Sequence, residues 1–419
     1  MTEMDESRER DLALVSSIHG LALKWLLDEA LPLWDQHGVD RRLGGYFEDL
    51  SLDPRGAVAA SGNVRRGRVV ARQIYVFDVG HQFGWRSSIS NPLEHGCNYL
   101  FSRLHYGDGR FHTSVDSITH VARAPFSLYE HAFYLFALAR LHTKADRYPV
   151  EASAVQCLRW LRNNVGRADG GFDESMPPSL PLKSNPHMHL LEAAIVWVGV
   201  TTGERQQPWI ALAEELVSLC LSRFRDICTG GIREYFTFGW RQARGNDGRI
   251  MEPGHQFEWA WLLVEWSQLP CIDAARRSAC VGAAAELVGI GERGVDVARN
   301  IVINEIWDDM TPKDSAAKLW PQTERIKAWC AMLSQSRTKG EFSWACAQIV
   351  AATRGMLGYL RAEAPGMWHE VCRSDGQFAP GPSKASSLYH IVCAIHVLGN
   401  AIAAQVVDNP LNQSHDDNR

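Results

Sequence analysis

Six polar side chains recur about once every sixty residues, each near the start of an apolar helical stretch: Arg72, His131, His189, His255, Glu324 and His390. Their intervals of 59, 58, 66, 69 and 66 residues are too regular for scattered surface histidines and too long for a short solenoid repeat. One helical hairpin with its loops fits the period. A second signal shares it, in Gly44-Gly45-Tyr46-Phe47-Glu48, Gly107-Asp108-Gly109-Arg110-Phe111, Gly170-Gly171-Phe172-Asp173-Glu174 and Gly230-Gly231-Ile232-Arg233-Glu234. Weaker counterparts follow at Asn304-Glu305-Ile306-Trp307-Asp308 and Gly366-Met367-Trp368-His369-Glu370, which makes six repeats.

Glycine pairs end helices and permit left-handed turns, and the aromatic and acid after them read as a short extended segment. Apolar residues at three- and four-residue spacing predict helices over 11–31, 69–85, 126–143, 150–163, 187–203, 207–225, 254–268, 272–290, 321–335, 341–362 and 385–404. Long alternating strand patterns are absent. Six hairpins can stack as an open solenoid or close into a toroid of two concentric helix rings. Only closure brings six polar helix starts together over one cavity, so the expectation is an all-α, (α/α)6 barrel. It would be a single domain over 1–419, with flexible termini at about 1–10 and 408–419.

Composition limits the function. The formal net charge is -5 over 419 residues, so no excess of Lys and Arg marks a nucleic-acid or anionic-membrane surface. Neither a signal-peptide core nor an uninterrupted apolar span is visible, and the expectation is a cytoplasmic protein. The ten cysteines are spread singly, without a CxxC pair, and read as buried reduced thiols.

Two segments carry most of the chemistry. Asn185-Pro186-His187-Met188-His189-Leu190-Leu191-Glu192 puts a proline at a helix start, then His189 and Glu192 at i and i+3 on one face. Glu252-Pro253-Gly254-His255-Gln256-Phe257-Glu258 repeats the arrangement with His255 and Glu258. Imidazole titrates near neutrality and an adjacent carboxylate can orient it, which suits proton transfer. His390, after Ser387-Leu388-Tyr389, supplies a third histidine in phase. Arg72 sits among apolar residues, where a guanidinium needs a carboxylate or a ligand oxygen. Trp320, Trp368 and Phe378 lie in segments that would rim the cavity, where aromatic faces stack sugar rings. Most other tryptophans read as core. Residues 239–252, with Arg241, Arg244 and Arg249, form the longest polar insertion and suit a lid or phosphate recognition. The plainer readings are helix-surface pairs, a salt bridge inside the barrel and a solvated loop. A His/Glu turn also suits a carboxylate metal site, but His-Glu-x-x-His does not occur.

The ladder of Arg72 in Val-Ala-Arg-Gln, Asn185 through Glu192, Pro253 through Glu258 and Leu-Tyr-His390 resembles the N-acylglucosamine 2-epimerase superfamily from about Leu31 to about Leu398. The resemblance implies an (α/α)6 barrel and chemistry at C1 and C2 of a sugar, without metal or other cofactor. It implies His255 and His390 as the acid/base pair. Arg72, Asn185, His189 and Glu258 would hold the substrate, with Trp320, Glu324 and Trp368 matched by fewer anchors. His131 and Glu192 are further candidates.

The histidine–arginine set is most similar to the aldose–ketose isomerase branch, which implies conversion of D-mannose to D-fructose through a cis-enediol(ate). The runner-up is a 2-epimerase of the N-acetylglucosamine or cellobiose type. Ala385, five residues before His390, replaces the tryptophan expected to stack a second sugar ring. The partner would be a monosaccharide, with no nucleic acid and no membrane, and the protein a monomer or homodimer. From other classes, a glycoside hydrolase on the same toroid would need two facing carboxylates, from Glu48, Glu174, Glu234 and Glu370. A non-catalytic binding module would have no use for three histidines on one axis.

Overall fold

The computed structural model describes residues 3–53, 56–59 and 62–407. Twelve α-helices of eight residues or more carry the fold among the described residues. They are α1 (Glu3–Trp25), α2 (Gly67–Gln82), α3 (Pro92–Tyr99), α4 (Leu128–Leu141), α5 (Val150–Asn164) and α6 (Asn185–Val200). The second half holds α7 (Gln207–Leu219), α8 (Pro253–Ser267), α9 (Ala274–Arg293), α10 (Trp320–Ser334), α11 (Lys339–Tyr359) and α12 (Ala385–Val407).

The even-numbered helices form the inner ring. Each packs on the next, and α12 returns to pack on α2. The odd-numbered helices lie outside, α3 through α11 each against the inner helix before it. α1 completes the sixth hairpin by packing on α11 and α12. This is the (α/α)6 barrel, closed rather than open. The two rings differ as their burial requires. Nearly every residue of α8 is buried, whereas α5 buries Val150, Ser153, Ala154, Cys157, Leu158 and Leu161, one stripe at helical spacing. α12 is long and apolar enough by composition to cross a membrane, yet its apolar residues are those an inner helix buries against α2, α10 and α1.

The helix boundaries follow the expected ones closely, with two differences. α1 starts at Glu3 rather than at residue 11; of the termini expected to be flexible, residues 1, 2 and 408–419 lie outside the described residues. α3 was not expected. It is only eight residues long, started by Asn91, whose side chain accepts from Glu94 N, and by Pro92. Short strands of two to five residues join the loops, below the length at which alternation is visible.

The glycine repeat is a tight turn closed by a β-bridge: Val39–Tyr46, His105–Phe111, Gly166–Phe172, Arg225–Ile232 and Cys372–Phe378, with Val302 paired to Val295 in the remaining repeat. At Gly170-Gly171, φ values of 89° and 72° put both residues in the left-handed region, and a Cβ on Gly171 would meet His187 Nε2 at 2.9 Å. The repeat acid has one structural duty. Glu48 accepts from Arg66 N at 2.8 Å, Glu234 from Glu252 N at 3.2 Å and Glu370 from Lys384 N at 2.9 Å. Glu174 accepts from Lys183 N, and Asn304 stands in for the acid by accepting from Lys318 N at 2.8 Å. These bonds tie each turn to the strand just before an inner helix.

Candidate active site

A cavity of about 360 Å³ opens where the inner helices begin. Arg72 of α2, Tyr129 of α4, Asn185 and His189 of α6, His255 and Glu258 of α8, Trp320 of α10 and His390 of α12 line it. All six inner helices contribute, which is what ring closure predicts. Prolines start α6, α8 and α10, and fix where each chain turns into the ring. At α8 the next residue must be glycine. A Cβ on Gly254 would lie 2.5 Å from the Trp320 ring.

Trp320 stands between two imidazoles, its ring centroid 5.0 Å from that of His255 and 6.1 Å from that of His390. The two histidines are wired alike but charged differently. His255 Nδ1 lies 2.8 Å from Glu234 Oε2, with Glu252 Oε2 at 3.8 Å, and its Nε2 faces the Asn185 amide at 3.1 Å. Burial disfavours its cation, but Glu234 and Glu252 outweigh burial and bring the imidazole up to about 10. As an imidazolium, its Nε2–H donates, which places the Asn185 Oδ1 toward the ring; in the opposite amide orientation that oxygen has no partner.

His390 Nδ1 lies 2.9 Å from Glu324 Oε1. Here burial wins over the single carboxylate, Arg72 adds repulsion, and the imidazole falls to about 4. It is neutral near pH 7, with Nδ1–H donated to Glu324 and the Nε2 lone pair free. The site therefore holds one acid and one base on either side of an indole.

Arg72 has no ion pair within 4 Å among the described residues. Its guanidinium is packed 4.1 Å from the Phe133 ring centroid and 5.1 Å from that of Tyr389, and donates to Tyr129 Oη at 2.8 Å. The salt bridge that would make it structural is missing. His189 Nδ1 is 3.3 Å from Glu192 Oε2 and 3.7 Å from Glu258 Oε1, and burial lowers its imidazole to about 4. Glu192 also accepts from Tyr389 Oη at 2.5 Å. Burial and the neighbouring Glu324 push the Glu258 carboxyl well above the usual carboxylate range.

Five sequence candidates lie elsewhere than on the cavity wall. Glu324 is fully buried behind His390, and Glu192 behind His189. Trp368 is stacked on Trp34 at 5.2 Å and edge-on to Trp25, in the core rather than on the rim, and Phe378 lies flat on His369 at 4.4 Å. His131 is a turn-holding residue. Its Nδ1 donates to Ser127 O at 2.8 Å and its Nε2 accepts from Phe111 N at 3.2 Å. His187, Gln256 and Gln322 do the same for Phe172, Ile232 and Val302 in the next three repeats.

Of the insertion 239–252, only Glu252 reaches the cavity, and none of its three arginines lines it. Arg249 is paired with Asp308 at 2.9 Å and Asp309 at 3.1 Å. Of the acids considered for hydrolysis, only Glu370 lines the cavity, while Glu234 is held behind His255. Two groups could gather a metal ion, His189 with Glu192 and Glu258, and Glu234 with Glu252 and His255. In the first, the Lys327 ammonium already stands 4.0 Å from Glu258 Oε1.

Sequence reasoning passed over Tyr129, Lys318, Lys384, Ser386, Ser387 and, behind the wall, Lys327. Two had a signal. Ser127-Leu128-Tyr129 repeats Ser387-Leu388-Tyr389, and Lys327 follows Glu324 at the same i, i+3 spacing that marked the two histidine turns.

The N-acylglucosamine 2-epimerase (GlcNAc 2-epimerase) family model matches residues 45–394. A protein of Rhizobium meliloti (strain 1021) named mannose-6-phosphate isomerase is 35% identical over 387 residues, covering 90% of this chain and 96% of its own. The cellobiose 2-epimerase of Spirochaeta thermophila DSM 6192 superposes with a TM-score of 0.79 at 19% identity, covering 94% of this chain and 98% of its own. A D-mannose isomerase gives 0.76 at 16% identity, with 93% and 97% covered. At those identities the two structures speak for the fold alone. The barrel, its six-helix cavity and the family match together establish that this chain belongs to the N-acylglucosamine 2-epimerase family of sugar isomerases and epimerases.

Proposed function

We propose that the protein is an aldose–ketose isomerase that converts D-mannose to D-fructose by proton transfer between C2 and C1. The observation that carries this reading is the pair of imidazoles flanking Trp320, His255 against two carboxylates and His390 against one. With the sugar open, neutral His390 takes the C2 proton on Nε2 as the C2–H electrons form the C1–C2 double bond. The carbonyl oxygen at C1 takes a proton from His255. Arg72, which has no carboxylate to neutralise it, and His189 face the oxygens of the resulting cis-enediol(ate). His255 then recovers a proton from the oxygen at C2, and His390 returns its proton to C1. No atom is gained or lost.

The same wall supports a 2-epimerase, if the proton returns to the opposite face of C2 from His255. A phosphorylated substrate is favoured by one further observation: Lys318 and Lys384 line the cavity, and the 35% identical relative is named for mannose 6-phosphate.

The test is proton NMR in D2O with D-mannose, mannose 6-phosphate, N-acetylglucosamine and cellobiose supplied separately. Deuterium entering C2 of mannose with fructose appearing supports the proposal. A 2-epimer from any of them moves the outcome to epimerisation, and fructose 6-phosphate as the preferred product moves the substrate. Absence of exchange with all four overturns the proton-transfer reading.

A further inference from the structure

Behind the cavity wall, at the barrel axis, lies a lysine with no access to solvent. Lys327 of α10 is fully buried, its Nζ 2.5 Å from Glu324 Oε2, 4.0 Å from Glu258 Oε1 and 3.9 Å above the Trp261 ring centroid. No other polar atom among the described residues is hydrogen-bonded to Lys327 Nζ or Glu324 Oε2, so the two depend on each other. An ammonium in such a place is costly unless its charge is used or matched.

Every inner neighbour bears on this cluster. α6 brings Glu192, α8 brings Glu258 and Trp261, and α12 brings His390 and Cys393; Arg72 adds its charge from α2. Burial pushes the Cys393 thiol up to about 12, so it carries no charge near neutrality. Burial and Glu324 push the Glu258 carboxyl up. Burial favours the neutral form of Glu192 too, but the hydrogen bond from His189 and the Lys327 charge keep it below its ordinary value. The carboxylates of Glu192 and Glu324 thus both face the Lys327 ammonium, while the Arg72 charge bears on His390. Burial alone would protonate Glu324 as well; the Lys327 charge and the His390 hydrogen bond bring it down to about 2.

We propose that Lys327 is a positioning residue for proton transfer at His390: its ammonium holds Glu324 ionised, and Glu324 fixes the imidazole with Nδ1–H inward and the Nε2 lone pair toward the cavity. This rests on the acid–base reading of the site and extends it one residue further from the substrate. Without Lys327, the Glu324–His390 pair takes up a proton at higher pH, on one partner or the other. Either location ends the arrangement. A proton on His390 removes the lone pair, and one on Glu324 removes the acceptor that sets the tautomer.

The experiment uses [15N]histidine-labelled protein and its Lys327→Met and Lys327→Arg variants. It reads the His390 ring nitrogens across pH alongside the kcat/KM profile for sugar exchange in D2O. In the wild type, His390 is expected as the neutral Nδ1–H tautomer from pH 5 to 9. In Lys327→Met, proton uptake and the acid limb of kcat/KM should both move up by about one unit or more, since a cation this close shifts a carboxylate by about 1–3 units. Lys327→Arg should restore both. A Lys327→Met protein that is merely less stable, with tautomer and acid limb unchanged, overturns the proposal. So does a wild-type His390 that carries its proton on Nε2 or is cationic at pH 7, a result that stands even where the methionine variant does not fold. Should the wild type exchange none of the sugars while its His390 tautomer still depends on Lys327, the positioning role survives and the isomerase reading falls.

Discussion

Glu234 accepts the Nδ1–H of His255 at 2.8 Å from a turn twenty-one residues upstream, and the same carboxylate accepts from Glu252 N at 3.2 Å. One acid thereby orients the imidazole and pins the strand that delivers it. His255, raised from 6.5 to about 10, stabilises the fold fully below the unfolded imidazole value, and that contribution drains away as pH rises through about 10. Urea midpoints should therefore fall between pH 7 and pH 10 in the wild type. Glu234→Gln should start lower and fall less. Parallel curves for the two proteins would show that His255 does not titrate where its carboxylates place it.

Among the described residues, Arg72 is a charge kept without a carboxylate partner. Its guanidinium touches two aromatic rings and a tyrosine hydroxyl but no carboxylate. Replacing it by glutamine should lower kcat/KM by about 10²–10³-fold, the loss expected when a donor to a developing oxyanion is removed. The melting temperature should hold or rise, since a buried cation disappears. Loss of stability with activity retained would assign Arg72 to the scaffold instead.

His131 should behave in the opposite way. Its repeat equivalents Gln256 and Gln322 hold the same turn, each accepting from the turn's N–H and donating to its carbonyl. His131→Gln should therefore be nearly neutral in thermal melting. His131→Ala leaves Phe111 N buried without an acceptor and should cost about 1–3 kcal/mol. Neither change should move kcat/KM, and a large fall in kcat/KM for His131→Gln would return this residue to the site.

The contrast between His131 and His189 also shows what periodicity could and could not tell. Period, eleven of the twelve helices, ring closure and seven of the cavity residues were legible, because hydrophobic spacing and proline starts are local features. Register was not. His131, His187, Gln256 and Gln322 form the true repeat of turn holders; His189 and Glu324 lie two residues further along and His255 one residue before, so the ladder of six had joined three registers. A histidine looks the same in each. Glu324 and Trp368 failed for a different reason, since depth behind a wall or within a core is decided by neighbours on other helices, His390 for Glu324 and Trp34 for Trp368. Lys327 was hidden by expectation: a lysine in a helix reads as solvated, and only three-dimensional burial shows otherwise.

The ring that α12 closes against α2 sets an order of events. Five of the six hairpins are stitched by contacts near in sequence, but Arg72 Nη1 reaches Ser386 O across 314 residues at 3.4 Å, and joining ends that distant costs about 5 kcal/mol of chain entropy before any contact repays it. Helical content can thus return early in refolding while the pocket does not exist. Arg72 and His390 meet only at the final docking, so ellipticity and turnover should recover on separate clocks.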